Sequence, residues 1–185
     1  MKKQKIQIFI LMVILVFCIL GYFIIKNSNQ NKEEVEDTSI TVTDVASENV
    51  VEMEYIYDGK TITFIKENDT WYDKEDKSIP IMQSEITTML NYACKITTNT
   101  SIPDAENLSV YGLLNPANMV SLTLTDGSVV QLMIGDYLSI TGEYYAKTAG
   151  DDTVYTIPSY CVAAFEKSVD DLTEVTETEI ETTEE

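Results

Sequence analysis

The sequence predicts an α+β fold. It should hold an antiparallel sheet built from two related β-β-α units, with two helices on one side and a single transmembrane helix ahead of it. Three observations carry that expectation. Alternating apolar stripes flank two Asp-Gly turns, Asp58-Gly59 and Asp126-Gly127. Two stretches, opening at Ser84 and Ser159, repeat apolar residues at helical spacing. A run of 20 uncharged residues, Ile6 to Ile25, stands near the start.

At about 1.5 Å per residue that run spans roughly 30 Å, the thickness of a bilayer's hydrocarbon core. Lys2, Lys3 and Lys5 precede it and Lys26 follows. The excess of lysine before the run places the N-terminus in the cytoplasm and the rest of the chain outside. Residues 6–25 are thus the expected contact with the lipid bilayer, in a single-pass protein of the cell membrane. A cleaved signal peptide needs a shorter apolar region ending in small residues, whereas this run ends Tyr22-Phe23-Ile24-Ile25. A lipoprotein cysteine at Cys18 fits less well, because bulky Phe17 precedes it and the apolar run continues past it.

The chain divides into four parts: 1–26 (cytoplasmic start and transmembrane helix), 27–49 (flexible acidic linker), 50–172 (extracytoplasmic α+β domain) and 173–185 (disordered acidic tail). The linker is rich in Asn, Glu, Asp, Ser and Thr. Its few large apolar residues bury too little surface to offset the entropy of ordering it. The tail reads TEVTETEIETTEE, a low-complexity acidic end.

Within the domain, Val51, Met53, Tyr55 and Tyr57 alternate with Glu52, Glu54 and Ile56. A two-residue type I′ turn at Asp58-Gly59 sets Tyr55 opposite Ile62 and Met53 opposite Phe64, which matches the apolar stripes. Trp71-Tyr72 forms a short third strand after Asn68-Asp69. Ser84 to Ile96 is a helix with Ile86, Met89, Leu90, Ala93 and Ile96 on one face, ended by Thr97-Thr98-Asn99-Thr100.

Tyr111 to Asp136 reads YGLLNPANMVSLTLTDGSVVQLMIGD. A two-residue turn at Asp126-Gly127 would put its two apolar stripes on opposite faces. A three-residue loop, Thr125-Asp126-Gly127, instead pairs Leu122 with Val130 and Val120 with Leu132, with Gly127 in the left-handed position of a bulge turn. Strands follow at Tyr144 to Thr148 and Thr153 to Ile157. Pro158-Ser159 then opens a helix carrying Val162, Phe165, Val169 and Leu172.

FIKENDTWY (Phe64 to Tyr72) and YAKTAGDDTVY (Tyr145 to Tyr155) echo one another. Each runs into Ile-Pro and a helix, which suggests the two related units. Gly112, Pro116, Gly127 and Gly135 are read as serving backbone geometry.

The assembled motifs resemble domain-of-unknown-function family 4340. Tyr111-Gly112-Leu113, Pro116, the Val120–Leu124 strand, Asp126-Gly127 and Ile134-Gly135-Asp136 carry the resemblance. Trp71, Tyr144-Tyr145-Ala146 and Val154-Tyr155 add to it, over about Thr61 to Leu172. The resemblance implies an N-terminal membrane anchor and an extracytoplasmic α+β domain. It further implies an accessory role beside an envelope or ABC-transporter-associated partner, and it supplies no catalytic residues.

Composition narrows the chemistry. There are 12 basic residues, all lysine, and no histidine. After residue 26, eight lysines face all 31 acids, a net charge of −23 that repels nucleic acid. Serine or cysteine triads lack their histidine base. Zinc lacks histidine ligands, phosphate lacks a glycine-rich loop, and bidentate arginine clamps are absent. Cys94 and Cys161 fall in the helices. An oxidising compartment permits a bridge between them, but spacing alone does not show their Cα atoms to be within reach. Free, half-buried thiols are expected.

No catalytic, cofactor or metal residues are assigned. Paired carboxylates are the catalytic option that composition allows, with Asp126, Asp136, Glu143, Asp151 and Asp152 in turns of the second unit. Most acids in turns favour the turn itself. Tyr55, Tyr57, Trp71, Tyr72, Tyr111, Tyr144, Tyr145 and Tyr155 are read as sheet and core packing rather than a ligand platform. The expected function is a non-enzymatic membrane-tethered module that binds or scaffolds an envelope or transporter partner. Two alternatives stand beside it. One is a carboxylate-dependent cell-wall glycan hydrolase. The other is an adhesion domain stabilised by calcium at Asp69-Asp73-Asp76 or Asp151-Asp152.

Overall fold

The computed structural model describes residues 39–116 and 118–174. The expected membrane helix over 6–25, Cys18, the linker over 27–38 and the tail from 175 lie outside the described residues. Among the described residues no helix is long and apolar enough to cross a membrane.

Part of the stretch read as flexible linker is a strand. Ile40–Asp44 forms a strand, β1, inside the stretch read as linker. It pairs antiparallel with Lys95–Thr98, β5. A register shift between Thr41 and Thr43 turns both Val42 and Thr43 inward, so the period-two signature is lost. This two-stranded ribbon closes the end of the first helix, Gln83–Cys94 (α1). The Thr43 hydroxyl donates to the Ala93 carbonyl at 2.7 Å and accepts from the Ile96 amide at 3.0 Å. The Val45 amide donates to the Cys94 carbonyl at 2.8 Å. Carbonyls left over at the helix end thus find partners some fifty positions upstream. The helix ends at Cys94, and Ile96, expected as its last apolar position, is buried in β5 instead.

The main sheet has eight antiparallel strands. In chain order they are β2 (Val50–Tyr57), β3 (Lys60–Glu67), β4 (Thr70–Asp73), β6 (Ser101–Ile102), β7 (Asn118–Leu124), β8 (Val129–Leu138), β9 (Glu143–Thr148) and β10 (Val154–Pro158). Their spatial order is β4-β3-β2-β7-β8-β9-β10-β6. Both expected hairpin registers hold. Tyr55 opposes Ile62 and Met53 opposes Phe64, across Asp58 and Gly59 at positive φ. Leu122 opposes Val130 and Val120 opposes Leu132, with Gly127 at φ +83°.

One face of this sheet is closed. Met53, Tyr55, Phe64, Val120, Leu122 and Ile134 point into a core shared with Ile86, Met89 and Leu90 of α1 and with Val42 and Ile96 of the ribbon. A short second helix, Ser159–Ala163 (α2), adds Cys161 and Val162. This helix was expected to run on to Leu172, but it stops after five residues. Phe165 turns inward, edge-on to Tyr55 at 5.6 Å, and the Tyr55 hydroxyl donates to the Lys167 carbonyl at 2.9 Å. Ser168 and Asp171 then cap each other's turn. Asp171 accepts from the Ser168 amide (2.9 Å) and hydroxyl (2.7 Å), while the Ser168 hydroxyl accepts from the Asp171 amide (3.3 Å). This reciprocal Ser-x-x-Asp arrangement starts a new 3-10 turn, Asp170–Leu172, where the helix would have continued. The chain does not become free at Thr173. Thr173 bridges to Ile81, and the Glu174 amide donates to the Pro80 carbonyl at 2.8 Å.

The outer edge of β4 is occupied by a side chain. Gln83 accepts from the Trp71 amide at 2.8 Å and donates to the carbonyls of Trp71 and Ile81, both at 2.9 Å. A side-chain amide here stands in for a neighbouring strand.

The order hairpin-helix does recur, as β3-β4-α1 and β9-β10-α2. The residue echo does not superpose, however. Lys66 opposes Trp71, a core residue, whereas Lys147 stands on the other face, opposite Met133 and next to Tyr145. Each lysine pairs with an acid of its own turn, Asp69 at 3.4 Å and Asp152 at 3.7 Å. Both helices nevertheless sit on the closed face, with Tyr92 and Tyr160 in ring contact at 5.4 Å. An alignment that swaps faces while keeping the helices on one side is a likeness of hairpin chemistry, not of equivalent positions.

Candidate functional site

The opposite face of the sheet is open and mixed in polarity. Glu52, Glu54, Thr63, Ser121 and Gln131 interleave there with half-buried Ile56, Ile65, Tyr72, Met119 and Met133. Antiparallel sheets commonly leave one face to water in this way. The Tyr111-Gly112-Leu113 segment is the part of the chain that clamps this face, and it does so beside β8.

The clamp is built from local turn chemistry. Asn107 caps a 3-10 turn, Leu108–Tyr111. Its side-chain oxygen accepts from the Ser109 amide (3.3 Å) and hydroxyl (2.6 Å). Gly112, at φ +68°, ends the turn, and the Leu113 amide donates back to the Leu108 carbonyl at 3.0 Å. The segment then meets Gly135-Asp136. A Cβ on Gly135 would collide with the Tyr111 carbonyl oxygen and lie 3.0 Å from Leu113 Cγ. A Cβ on Gly112 would strike the Asp136 side chain and lie 2.8 Å from its amide nitrogen. Both glycines are therefore demanded by backbone crossing backbone, as their motif suggested. Leu113 is buried in the contact, and the Tyr111 ring packs edge-on against Tyr145 at 4.9 Å.

Gly135-Asp136 is also a bulge, which the sequence reading missed. Ile134 opposes Ala146, but the next pair is Tyr137 with Tyr144, so β8 spends one residue more than β9. Strict alternation would send Tyr137 to the open face with Met133. The bulge returns it to the side of Tyr144, where the rings meet at 4.9 Å. A Gly-Asp pair late in an alternating strand was the available signal.

Several apolar side chains in the segments beside this contact lie in water. Ile140 is 98% exposed, Leu114 65%, Val110 59% and Tyr137 53%. Val110 and Leu114 flank the clamp. Tyr137 follows the bulge, and Ile140 lies in the turn that joins β8 to β9.

The candidate carboxylates do not form one group: Asp136 precedes Tyr137, which opposes Tyr144 beside Glu143, while the others are engaged elsewhere. Asp126 accepts from the Ser128 amide (2.9 Å) and hydroxyl (2.6 Å), which hold its pKa below the usual carboxylate value. Asp151 accepts from the Tyr155 hydroxyl and from the Thr153 amide at 2.8 Å, and its pKa is likewise lowered. Glu143 starts β9 while Asp151 and Asp152 follow its end, five strand steps or roughly 17 Å away. In the first unit Asp69 faces Lys66, Asp73 accepts the amides of Glu75 and Asp76, and Asp76 accepts from Ser78. Hydrogen bonds from Ser78 and Ser168 lower Asp76 and Asp171 too. Among the described residues no three acids or cysteines lie together as a metal set. An acid-lined groove of about 320 Å³ does open between β3 and Ser168–Asp170, with Asp58, Asp73 and Glu75 on its walls.

Both described cysteines are free and buried. Burial pushes the thiol pKa of each up to about 11, with Glu48 adding to the effect at Cys94. Such thiols are poor nucleophiles. The tyrosines divide as expected for packing. Tyr55 lies in the core, where burial and then Asp171 and Asp73 raise its pKa, and Tyr111 packs against Tyr145 in the clamp.

The family model for the domain of unknown function DUF4340 matches residues 71–184. The chain belongs to this family. The DUF4340 match starts at Trp71, in β4, and includes the clamp, the bulge and both strands after it. It begins later and ends later than the expected Thr61 to Leu172. No curated protein and no solved structure matches the chain.

Proposed function

We propose that this DUF4340 chain is a membrane-tethered, extracytoplasmic, non-enzymatic module that binds or scaffolds an envelope or transporter partner. The observation that carries this reading is that Val110, Leu114, Tyr137 and Ile140 stand exposed in the segments on either side of the Tyr111–Gly135 contact. The uncharged run before Lys26 supports the tether. Hydrogen bonds within their turns hold Asp76, Asp126, Asp151 and Asp171 below the usual carboxylate range, which suits none of these four to the role of a glycosidase acid.

The test is a comparison of the full-length protein with its Ile140→Asp variant in membranes of the cells that make it. A photo-crosslinking residue at position 114 should yield an adduct with another protein in the first and lose it in the second. Equal adducts from both would remove this surface from the function. Hydrolysis of envelope polymers by the purified full chain would overturn the non-enzymatic reading.

A further inference from the structure

The last described residues run into a groove. They pair antiparallel with the stretch ahead of α1. Thr173 bridges to Ile81, the Met82 amide donates to the Leu172 carbonyl and the Glu174 amide to the Pro80 carbonyl, both at 2.8 Å. That ladder stops at Pro80. A strand continuing past Glu174 would need the amides of Pro80 and Ser78 as donors. Proline has none, and the Ser78 amide already donates to the Asp76 carboxylate at 2.9 Å. At this point a groove of about 290 Å³ opens between β4 and residues 77–81, with Trp71, Tyr72, Ile79, Pro80 and Glu174 among its walls.

We propose that this groove is the seat of the chain's own next segment, with Val175 as the side chain that fills it. Val175 follows directly on a groove residue, and the next apolar residue, Ile180, comes five positions later. A segment joined to its seat by one peptide bond has an effective concentration on the order of millimolar or more, ahead of any free competitor of similar chemistry. The charges agree. Lys77 lies on the groove wall, and Glu177 and Glu179 follow Val175. Lys77 also bonds Glu67 at 2.7 Å, with both side chains about half exposed, an arrangement that a further carboxylate can share. The DUF4340 match runs to residue 184, so the family's domain takes in this segment instead of stopping at Leu172. Seated there, the segment straps the start of α1 to the edge of β4.

The experiment compares the purified full-length protein with its Val175→Glu and Ile180→Glu variants and with a form ending at Glu174. Removing 175–185, or placing Glu at 175, should speed hydrogen exchange over 77–81 roughly fivefold. Both changes should also raise acrylamide quenching of Trp71, the chain's one tryptophan, which stands in the groove wall. Ile180→Glu should change neither. All three variants leave residues 39–174 untouched, so the core that holds the groove is kept. Unchanged exchange and quenching in the form ending at Glu174 would overturn the proposal, as would an equal response to Ile180→Glu. Protection of the groove that vanishes on dilution of the full-length protein would give the seat to a second copy's tail and overturn it as well.

Discussion

The two faces of the eight-stranded sheet are held by different physics. The closed face is a cooperative core in which helices, ribbon and sheet share Tyr55, Phe64, Ile86, Met89 and Phe165. On the open face, two glycines let the Tyr111 segment lie on the bulge of β8. Stability therefore resides mainly on the closed face. Changes on the closed face should act on the whole domain, and changes at the clamp should act locally.

Phe165→Ala should give the largest effect, about 4 kcal/mol of lost global stability by denaturant unfolding, from a cavity beside Tyr55. A loss under about 1 kcal/mol would mean that the two faces do not differ in this way. Gly135→Ala should cost less, about 2 kcal/mol, because backbone must yield where the Cβ meets Tyr111. Hydrogen exchange should speed up over residues 103–116 and stay slow in β2 and β3. Uniform loss of protection would show the clamp to be part of the core.

Thr43→Val should cost about 1–2 kcal/mol, since the Ala93 carbonyl and Ile96 amide both lose a buried partner. The same variant tests whether β1 belongs to the domain, because a true linker residue would be silent. Acid should act more gently. The turn carboxylates Asp76, Asp126, Asp151 and Asp171 have folded pKa values below their unfolded ones. Their contribution is present above the ordinary carboxylate pKa and is lost as pH falls through the lowered values. Melting temperature should thus drop below about pH 4, and less steeply in Asp151→Asn. The smallest stability change, within about 0.5 kcal/mol, should come from Ile140→Asp, which meets only water. That variant sharpens the comparison by separating partner capture from folding.

Both hairpins were legible because each apolar stripe admits one pairing that keeps it on one face. Tyr55 with Ile62 and Leu122 with Val130 follow from that constraint alone. Features that depend on distant partners were not legible. β1 reads as polar linker, since its bulge hides the alternation and its role is to finish α1. The end of α1 was misplaced for the same reason, as Thr43 closes it from fifty positions away. The Ser168–Asp171 cap was hidden behind the helical stripe through Val169 and Leu172. At the clamp, the glycines announced close backbone contact without saying which strand they would meet. The exposure of Val110, Leu114, Tyr137 and Ile140 could not be read at all, because exposure is a property of the assembled surface.

Gln83 also bears on how these domains meet one another. When two copies meet side-on, an unpaired strand edge would let one sheet extend into the next. With its amide bonded to both backbone groups of Trp71, the β4 edge has nothing to offer such a neighbour at that residue. One side chain, fixed at the first residue of α1, works as a stopper against strand-by-strand fusion and lets the domain be crowded without polymerising through this edge.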